Sequence, residues 1–445
     1  MWIKLNTQNL KLKTMHHTIT PPRRLRGIIE VPGDKSISHR AVMFNAVAQG
    51  NAEITHFLTG ADCLSTIRCM QALGVRVERE NQHVKVYGVG LRGLHEAADV
   101  LDCGNSGTTL RLLTGLLAGQ PGMFAVLTGD ESLRSRPQKR IVGPLRALGA
   151  TLDGRQNGER APIMLRGAAI SGGNYELPVA SAQVKSALLL AALGGTGPLT
   201  LTGRTDGRDH TERMFAAMGL DIKNEAGTIT FTPPAPDVSP QPLSLCVPGD
   251  PSSAAFWWVA AAIHPDAELT TTGVCMNPSR SGALEVLRAM GAHITVENER
   301  DEGGEPVADI TVRSSNLRGT TIGGALIPRL IDEIPVLAVA AACATGDTLV
   351  RDAAELRAKE TDRVETVANG LDAMGATIEP TGDGMGLTGG ARLRGATLHS
   401  HHDHRLAMTW AIAGLVASGE TRVEGAEAVD VSYPDFWETL HRVSE

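Results

Sequence analysis

The chain has 445 residues with 42 basic and 49 acidic side chains, a formal net charge of −7 at pH 7. Aromatic residues make up only 3% of it, and with the acidic balance they exclude a nucleic-acid binder, which needs a basic footprint and stacking rings. A chain of this size accommodates about two to four domains, and no stretch approaches the roughly 18 apolar residues of a membrane span.

Residues 1–20 mix Lys4, Lys11, Lys13, His16 and His17 with Asn and Gln, lack an apolar h-region, and read as an irregular extension rather than a secretory signal. The six cysteines, at 63, 69, 103, 246, 275 and 343, form no CxxC pair and suit free thiols in a reducing cytosol. Val31-Pro-Gly-Asp-Lys-Ser-Ile-Ser-His-Arg40 then opens the first greasy segment. Its stripe of Ile37, Ala41, Phe44 and Ala48 predicts a helix over 37–48, with Ser36 and Arg40 four apart on one face.

Next, Ala72-Leu-Gly-Val75 closes a second, amphipathic helical pattern, and Val75-Arg-Val-Glu-Arg79 alternates as a strand does. The phrase recurs as Ala147-Leu-Gly-Ala150, Ala217-Met-Gly-Leu220, Ala289-Met-Gly-Ala292 and Ala373-Met-Gly-Ala376, with glycine spacings of 75, 70, 72 and 84. Each glycine is predicted just past a helix end, where a left-handed conformation is cheap only without a Cβ. With a last helix over about 435–443, the chain reads as six copies of one unit. Each copy also carries a greasier helix, predicted at 37–48, 106–118, 182–193, 252–263, 334–345 and 404–417. Two of these, around Ala187–Leu193 and Val336–Ala342, are apolar all round and therefore buried.

Polarity enters the greasy helices at their N-terminal ends: Asp34-Lys35-Ser36, Asn105-Ser106, Ser181 with Gln183, Asp250 with Ser252-Ser253, Asp332-Glu333, and Asp403-His404-Arg405. Capping accounts for Ser, Asp and Asn there. It does not account for Lys35, Arg40 or Arg405, because a cation beside the positive end of a helix dipole is misplaced unless an anion joins it. The pattern points to a site for a highly anionic small substrate. Further polar clusters are Gly104-Asn-Ser-Gly-Thr-Thr-Leu-Arg111, Arg134 and Arg136 in the loop 129–137, Ala180-Ser-Ala-Gln-Val-Lys-Ser186, Arg208-Asp-His-Thr-Glu212, and Lys359-Glu-Thr-Asp-Arg363.

Together these motifs resemble the 5-enolpyruvylshikimate-3-phosphate synthase family, in order, from about Arg24 onward. The resemblance implies an α/β (α+β) fold of two similar domains, each of three βαβαββ-type units around buried helices, an inside-out barrel with the active site in the cleft between domains. It implies transfer of the enolpyruvyl group of phosphoenolpyruvate to the 5-hydroxyl of shikimate 3-phosphate. By motif match, Lys35, Ser36, Arg40, Ser181, Ala182, Gln183, Asp332 and Lys359 would hold shikimate 3-phosphate. Lys35, Gly107, Arg136, Gln183, Arg363 and Arg405 would hold phosphoenolpyruvate. Asp332 would be the base toward the 5-hydroxyl, Glu360 the proton donor to the methylene carbon, and Lys35 a contact to both substrates. No cofactor or metal is implied, and the expected partners are the two small substrates, with no nucleic acid or membrane and a cytoplasmic monomer. The family also implies inhibition by glyphosate, which needs the room left at Gly107. Two positions depart from its pattern: Val431, where some members have Lys, and Leu112, where many have Pro.

The repeated Val-Pro-Gly-Asp at 31–34 and 247–250 places two chain crossings, giving one domain over 34–246 and another over 1–33 plus 247–445, with a cleft expected open when empty. His399, His401, His402 and His404 fit no helix face and read as a solvated loop rather than a metal site. Trp257-Trp258 reads as packing. Asp332-Glu333 alone would pass for an acidic helix start; Lys359, Glu360 and Arg363 downstream turn it toward catalysis. Rival readings are the enolpyruvyl transferase acting on UDP-N-acetylglucosamine, which usually has a Cys where 129–137 has none, RNA 3′-phosphate cyclase, and a non-catalytic repeat scaffold.

Overall fold

The structure, a computed structural model, describes residues 15–445. Six greasy helices form where the apolar patterning is nearly continuous: Lys35–Ala46, Gly107–Ala118, Ala182–Leu193, Pro251–Ile263, Ile334–Cys343 and His404–Gly414. They are called here the first to sixth buried helices. Five of them start on a side-chain cap: Asp34, Ser106, Ser181, Asp250 and Asp403 each accept a backbone N–H of the first turn. The fifth begins at Glu333 with no side-chain cap, so its acidic residues are not there to cap it.

The outer amphipathic helices close as their glycines require. Gly74, Gly149, Gly219, Gly291 and Gly375 all have φ between 79° and 92°. At each, the glycine N–H and the next residue's N–H both turn back to carbonyls of the last helical turn, as in Gly74 to Gln71 and Val75 to Met70. Five short helices thus stop in the same way and feed the same following strand.

The first five units run strand, buried helix, strand, outer helix, strand, strand, and the sixth stops at its outer helix, Phe436–Val443. In the second unit Leu101–Asp102 pairs in parallel with Phe124–Thr128, which pairs antiparallel with Arg160–Arg166, with Thr151–Gly154 at the far edge. Five four-stranded sheets share this order, and the sixth has three strands. Two units borrow their first strand across the chain. Leu245–Cys246 pairs with Gln49–Thr55, and Leu25–Glu30 pairs with Ala267–Cys275. The N-terminal segment is more ordered than its composition suggests: His16–Ile19 is a strand antiparallel to Thr421–Glu424, completing the sixth sheet. The polar side chains of this strand conceal it, since only Ile19 is buried. The rest of the expected extension, residues 1–14, lies outside the described residues.

Buried apolar residues fall into two clusters. One collects Ile37 to Val247 with Cys275, around the first three buried helices. The other collects Ile19 to Val31 with Ala254 to Val443, around the last three. Trp257 and Trp258 are packing residues in the second cluster, their indole N–H groups donating to Tyr433 and Thr271. The two Val-Pro-Gly-Asp segments run antiparallel between the clusters: Asp34 N–H donates to Pro248 O at 2.7 Å and Asp250 N–H to Pro32 O at 2.9 Å. A Cβ on Gly33 would sit 2.0 Å from the His56 carbonyl oxygen, so this approach needs glycine.

The glycine ends have a measurable cost when filled. Gly149 has φ +92° and open space around its Cβ position. Gly149→Ala is therefore expected to destabilise the protein by about 1 kcal/mol through backbone strain alone. Gly386, in the strand Met385–Thr388, also has open space but no positive φ, and Gly386→Ala should stabilise by about 0.5 kcal/mol. Urea midpoints that shift the same way in both variants would contradict the strain argument.

Candidate active site

The N-terminal ends of all six buried helices converge on one cavity of about 780 Å³. Lys35 and Ser36, Gly107 and Thr108, Ser181 to Gln183, Asp250, Asp332, and His404 with Arg405 come from these ends or the one or two residues before them. Every residue to which the family resemblance gives a substrate or catalytic role lines it: Lys35, Ser36, Arg40, Gly107, Arg136, Ser181, Ala182, Gln183, Asp332, Lys359, Glu360, Arg363 and Arg405. Eleven basic side chains face seven acidic ones in this lining, so a protein of net charge −7 concentrates positive charge here. Ser106 takes the Thr109 N–H as a cap, leaving the Gly107 and Thr108 N–H groups directed past the end of the helix.

The cations are of two kinds. Arg40 and Arg111 are buried without a carboxylate. Arg40 donates to Thr211, Ser186 and the Ser36 carbonyl. Arg111 donates to Gln183 at 2.8 Å and to Gln138 at 3.2 Å. Burial, reinforced for Arg111 by Arg140 and Arg136, lowers their pKa to about 10 and about 9. A bound anion would relieve both. The remaining cations converge on carboxylates. Asp332 lies 2.7 Å from Arg208, 3.3 Å from Lys359, 3.4 Å from Arg363 and 4.0 Å from Arg405. Burial pushes its pKa up, but Lys359, Arg405, Arg208 and Arg363 together hold it well below the usual carboxylate range. Glu360, 2.7 Å from Arg363 and 3.7 Å from Arg136, is held down likewise against burial, with Arg363 and Arg136 the main causes. Lys35 pairs with Asp62 at 3.2 Å, and Asp62 keeps it charged against burial.

Several lining residues escape sequence reasoning. Asp62, Arg140 and Arg280 carry no motif, and Arg140 looks like any cation on an amphipathic helix. Arg111 and Arg208 sit inside motifs without an assigned role, and their position could have flagged them. Arg134 does not line the cavity; its guanidinium turns back to the Gly129 carbonyl, because 131–135 forms a short helix capped by Asp130 instead of an open loop. No lining residue comes from beyond Arg405, so Val431 leaves the cavity wall unchanged. Leu112 is a fully buried core residue and the helix start at Gly107 is regular. The His399–His402 turn is held by its own contacts, His401 N–H to His399 Nδ1 among them, and leads into the buried His404.

The sequence leads one to expect an open cleft, yet the two faces meet. Arg208–Asp332 and Arg140–Glu355, both at 2.7 Å, and Arg136–Glu360 at 3.7 Å join residues of the first cluster's segment to the second's. Opposite charges on the two faces satisfy each other.

A family model for EPSP synthase (3-phosphoshikimate 1-carboxyvinyltransferase) matches residues 19–440. The 3-phosphoshikimate 1-carboxyvinyltransferase of Roseiflexus sp. (strain RS-1) is 74% identical over 431 residues, 97% of this chain and 100% of that protein. That of Chloroflexus aurantiacus (strain J-10-fl) is 69% identical over 96% of this chain and 99% of its own length. Among solved structures, EPSP synthase from Acinetobacter baumannii superposes with a TM-score of 0.86 at 42% identity, covering 96% of this chain and 98% of that one.

The junction beneath the cavity gives a pH-dependent test. Arg280 Nη2 reaches Asp250 at 2.6 Å and Asp34 at 3.2 Å, all three buried. Burial raises the Asp34 carboxyl, but Arg280, with His210, the Ile37 N–H and Arg208 adding to it, brings it down to about 2 from 3.8. A depressed carboxylate stabilises the fold above its unfolded pKa and loses that contribution as pH falls through the folded one. Asp34→Asn should therefore be less stable than wild type at pH 7, with the gap closing between pH 3.8 and about 2. Urea denaturation across that range reads it; a gap independent of pH would exclude the Arg280 pairing as its source.

Proposed function

The chain belongs to the EPSP synthase family and transfers the enolpyruvyl group of phosphoenolpyruvate to the 5-hydroxyl of shikimate 3-phosphate with release of phosphate, and we propose that it does so in this cavity. What carries the assignment is one observation. Arg40 and Arg111 are buried cations without a carboxylate, in a pocket at the positive ends of six helices. Two phosphates and two carboxylates supply the missing charge.

In this reading Ser36, Arg40, Ser181, Ala182 and Gln183 hold shikimate 3-phosphate, with Lys359 and Asp332 on its far side. Gly107, Arg136, Arg363 and Arg405 hold phosphoenolpyruvate, with Gln183 beside it, and Lys35 lies between the two ligands. We take 34–246 and 1–33 plus 247–445 as the two domains, the first cluster belonging to the one, save Val247 and Cys275, and the second to the other. Segregated cores and strands exchanged at both crossings support that division. All six cysteines are free, which supports a cytoplasmic setting. We read the working form as a monomer with its two small-molecule substrates as partners.

The two carboxylates need substrate to become useful. With four cations around it, Asp332 is ionised but a poor base. Once phosphates and carboxylates engage Lys359, Arg208, Arg363 and Arg405, Asp332 loses its counter-charges and its basicity rises. The 5-oxygen then bonds to C2 of phosphoenolpyruvate as its proton passes to Asp332. Glu360 is freed in the same way when Arg136 and Arg363 turn to phosphoenolpyruvate, and its pKa climbs into a range where it can protonate C3. Breaking the C2–O bond to phosphate and returning the C3 proton completes the transfer.

Phosphate release from the two substrates tests the whole scheme. Asp332→Asn should lower kcat by roughly 10²–10⁴ and leave shikimate 3-phosphate affinity nearly intact. Lys35→Ala should damage both kcat and KM, since it removes a cation shared by two anions. Normal turnover in Asp332→Asn would remove it as the base.

Gly107 gives a second test. A Cβ there would lie 2.6 Å from Arg111 Nη1, so a methyl group must displace the guanidinium that donates to Gln183. We expect the wild type to be sensitive to glyphosate, which competes with phosphoenolpyruvate in this family. Overpacking costs about 1–3 kcal/mol, so Gly107→Ala should weaken glyphosate roughly 5- to 150-fold, with a smaller rise in KM for phosphoenolpyruvate. Equal glyphosate Ki values in the two proteins would place Gly107 away from the inhibitor.

A further inference from the structure

Behind the cavity wall runs a chain of four side chains that no substrate contact explains. His39 Nδ1 lies 2.7 Å from Thr66 Oγ1, and Thr66 Oγ1 lies 2.7 Å from Thr109 Oγ1. Thr109 Oγ1 donates to Ser106 Oγ, again at 2.7 Å. All four residues are 0% exposed. His39 is one turn beyond Lys35 on the first buried helix, and Thr66 is one turn beyond Asp62 on the outer helix Ala61–Ala72. The Lys35–Asp62 ion pair and the His39–Thr66 hydrogen bond are thus successive rungs between the same two helices, the first on the cavity wall and the second behind it. From Thr66 the chain crosses to the second buried helix, where Ser106 Oγ also accepts the Thr109 N–H at 3.1 Å. The residue after Ser106 is Gly107.

The Thr109 hydroxyl has acceptors in Ser106 Oγ at 2.7 Å and the Asp62 carbonyl at 3.4 Å, and with its proton on either one Thr66 donates to Thr109 and accepts from His39. His39 is then the Nδ1–H tautomer with a bare Nε2, and Nε2 has no hydrogen-bond partner. Burial, with Lys35 and Arg40 adding to it, keeps this imidazole neutral.

We propose that the His39–Thr66–Thr109–Ser106 chain is a positioning device that fixes the separation between the Lys35 ammonium and the Gly107 edge of the phosphoenolpyruvate pocket. Apolar helix contacts can slide by fractions of an ångström, whereas short directional hydrogen bonds between buried groups cannot do so without leaving a polar group unsatisfied. The device sets how closely the pocket fits its smaller substrate. It leaves the shikimate 3-phosphate contacts on the third buried helix untouched. The proposal rests on the reading that Gly107 borders phosphoenolpyruvate.

Thr66→Val keeps the side-chain shape and removes both of its hydrogen bonds. KM for phosphoenolpyruvate should rise about tenfold, below the roughly 10²-fold that a 1 Å misplacement costs. KM for shikimate 3-phosphate should rise distinctly less, since Ser181, Ala182, Gln183, Asp332 and Lys359 keep their places while Lys35 shifts, and Thr66→Ser should restore the wild-type values. Arg136→Ala is the comparator, since Arg136 hydrogen-bonds the neighbouring Asn105 but no side chain of the four. If it raises KM for phosphoenolpyruvate while Thr66→Val does not, the site reading stands and the positioning role is overturned. If neither variant moves that KM, the site reading fails and the proposal falls with it. Equal rises in both KM values for Thr66→Val would also overturn it, since a general loss of structure acts that way. Should Thr66→Val not fold, the ¹⁵N spectrum of wild-type His39 decides. An Nδ1–H tautomer upholds the chain, and an Nε2–H tautomer breaks its polarity and overturns it.

Discussion

Buried positive charge without a protein counter-ion is the constraint on which this molecule is organised. Arg40, Arg111, Arg363 and Arg405 in the cavity lining are drawn out of water beside helix ends whose own dipoles make matters worse. Arg363 is stabilised by Asp403 and Glu360, but Arg40 and Arg111 have only neutral acceptors. Such a site is unfavourable for folding and favourable for binding, because the ligand's anions complete it. The rest of the architecture serves to hold it open to that ligand. Apolar packing on the sides of the six buried helices anchors them, and only their ends are left polar.

The same constraint ties the carboxylates to the reaction. Asp332 and Glu360 are on the second cluster's segment and part of their counter-charge, Arg208 and Arg136, is on the first's. Bringing the faces together therefore ionises the carboxylates firmly, and inserting anionic substrates between them withdraws that support. In the proposed reading, one rearrangement of ion pairs would fill the pocket and raise the basicity of Asp332 and Glu360, the groups assigned to proton transfer. Holding the two faces in register falls to the paired crossings, where Arg280 binds the caps of the first and fourth buried helices at once.

The sequence showed the six-unit plan because each unit carries local signals that tertiary context does not override. The glycines at 74, 149, 219, 291 and 375 need a left-handed conformation, and all five adopt it. The polar starts of the greasy helices were visible because a hydroxyl or carboxylate in that position contrasts with the run that follows. His16–Ile19 was hidden because an edge strand with one buried residue carries no alternation to read. Arg280, Asp62 and Arg140 were hidden because they reach the cavity across helix and sheet boundaries, and no short-range pattern records such a reach.

What the amino-acid sequence determined by itself was the repeat, the placement of its helices and strands, and the list of cations that local structure could not justify. What only the tertiary structure decided was pairing. It set which cation lies beside which carboxylate, which two remain without one, and which strands the first and fourth units borrow. Helix periodicity and capping act over a few residues and are written in adjacent letters. Charge pairing acts over 3–4 Å between residues such as Arg208 and Asp332, 124 positions apart, and exists only once both clusters have packed.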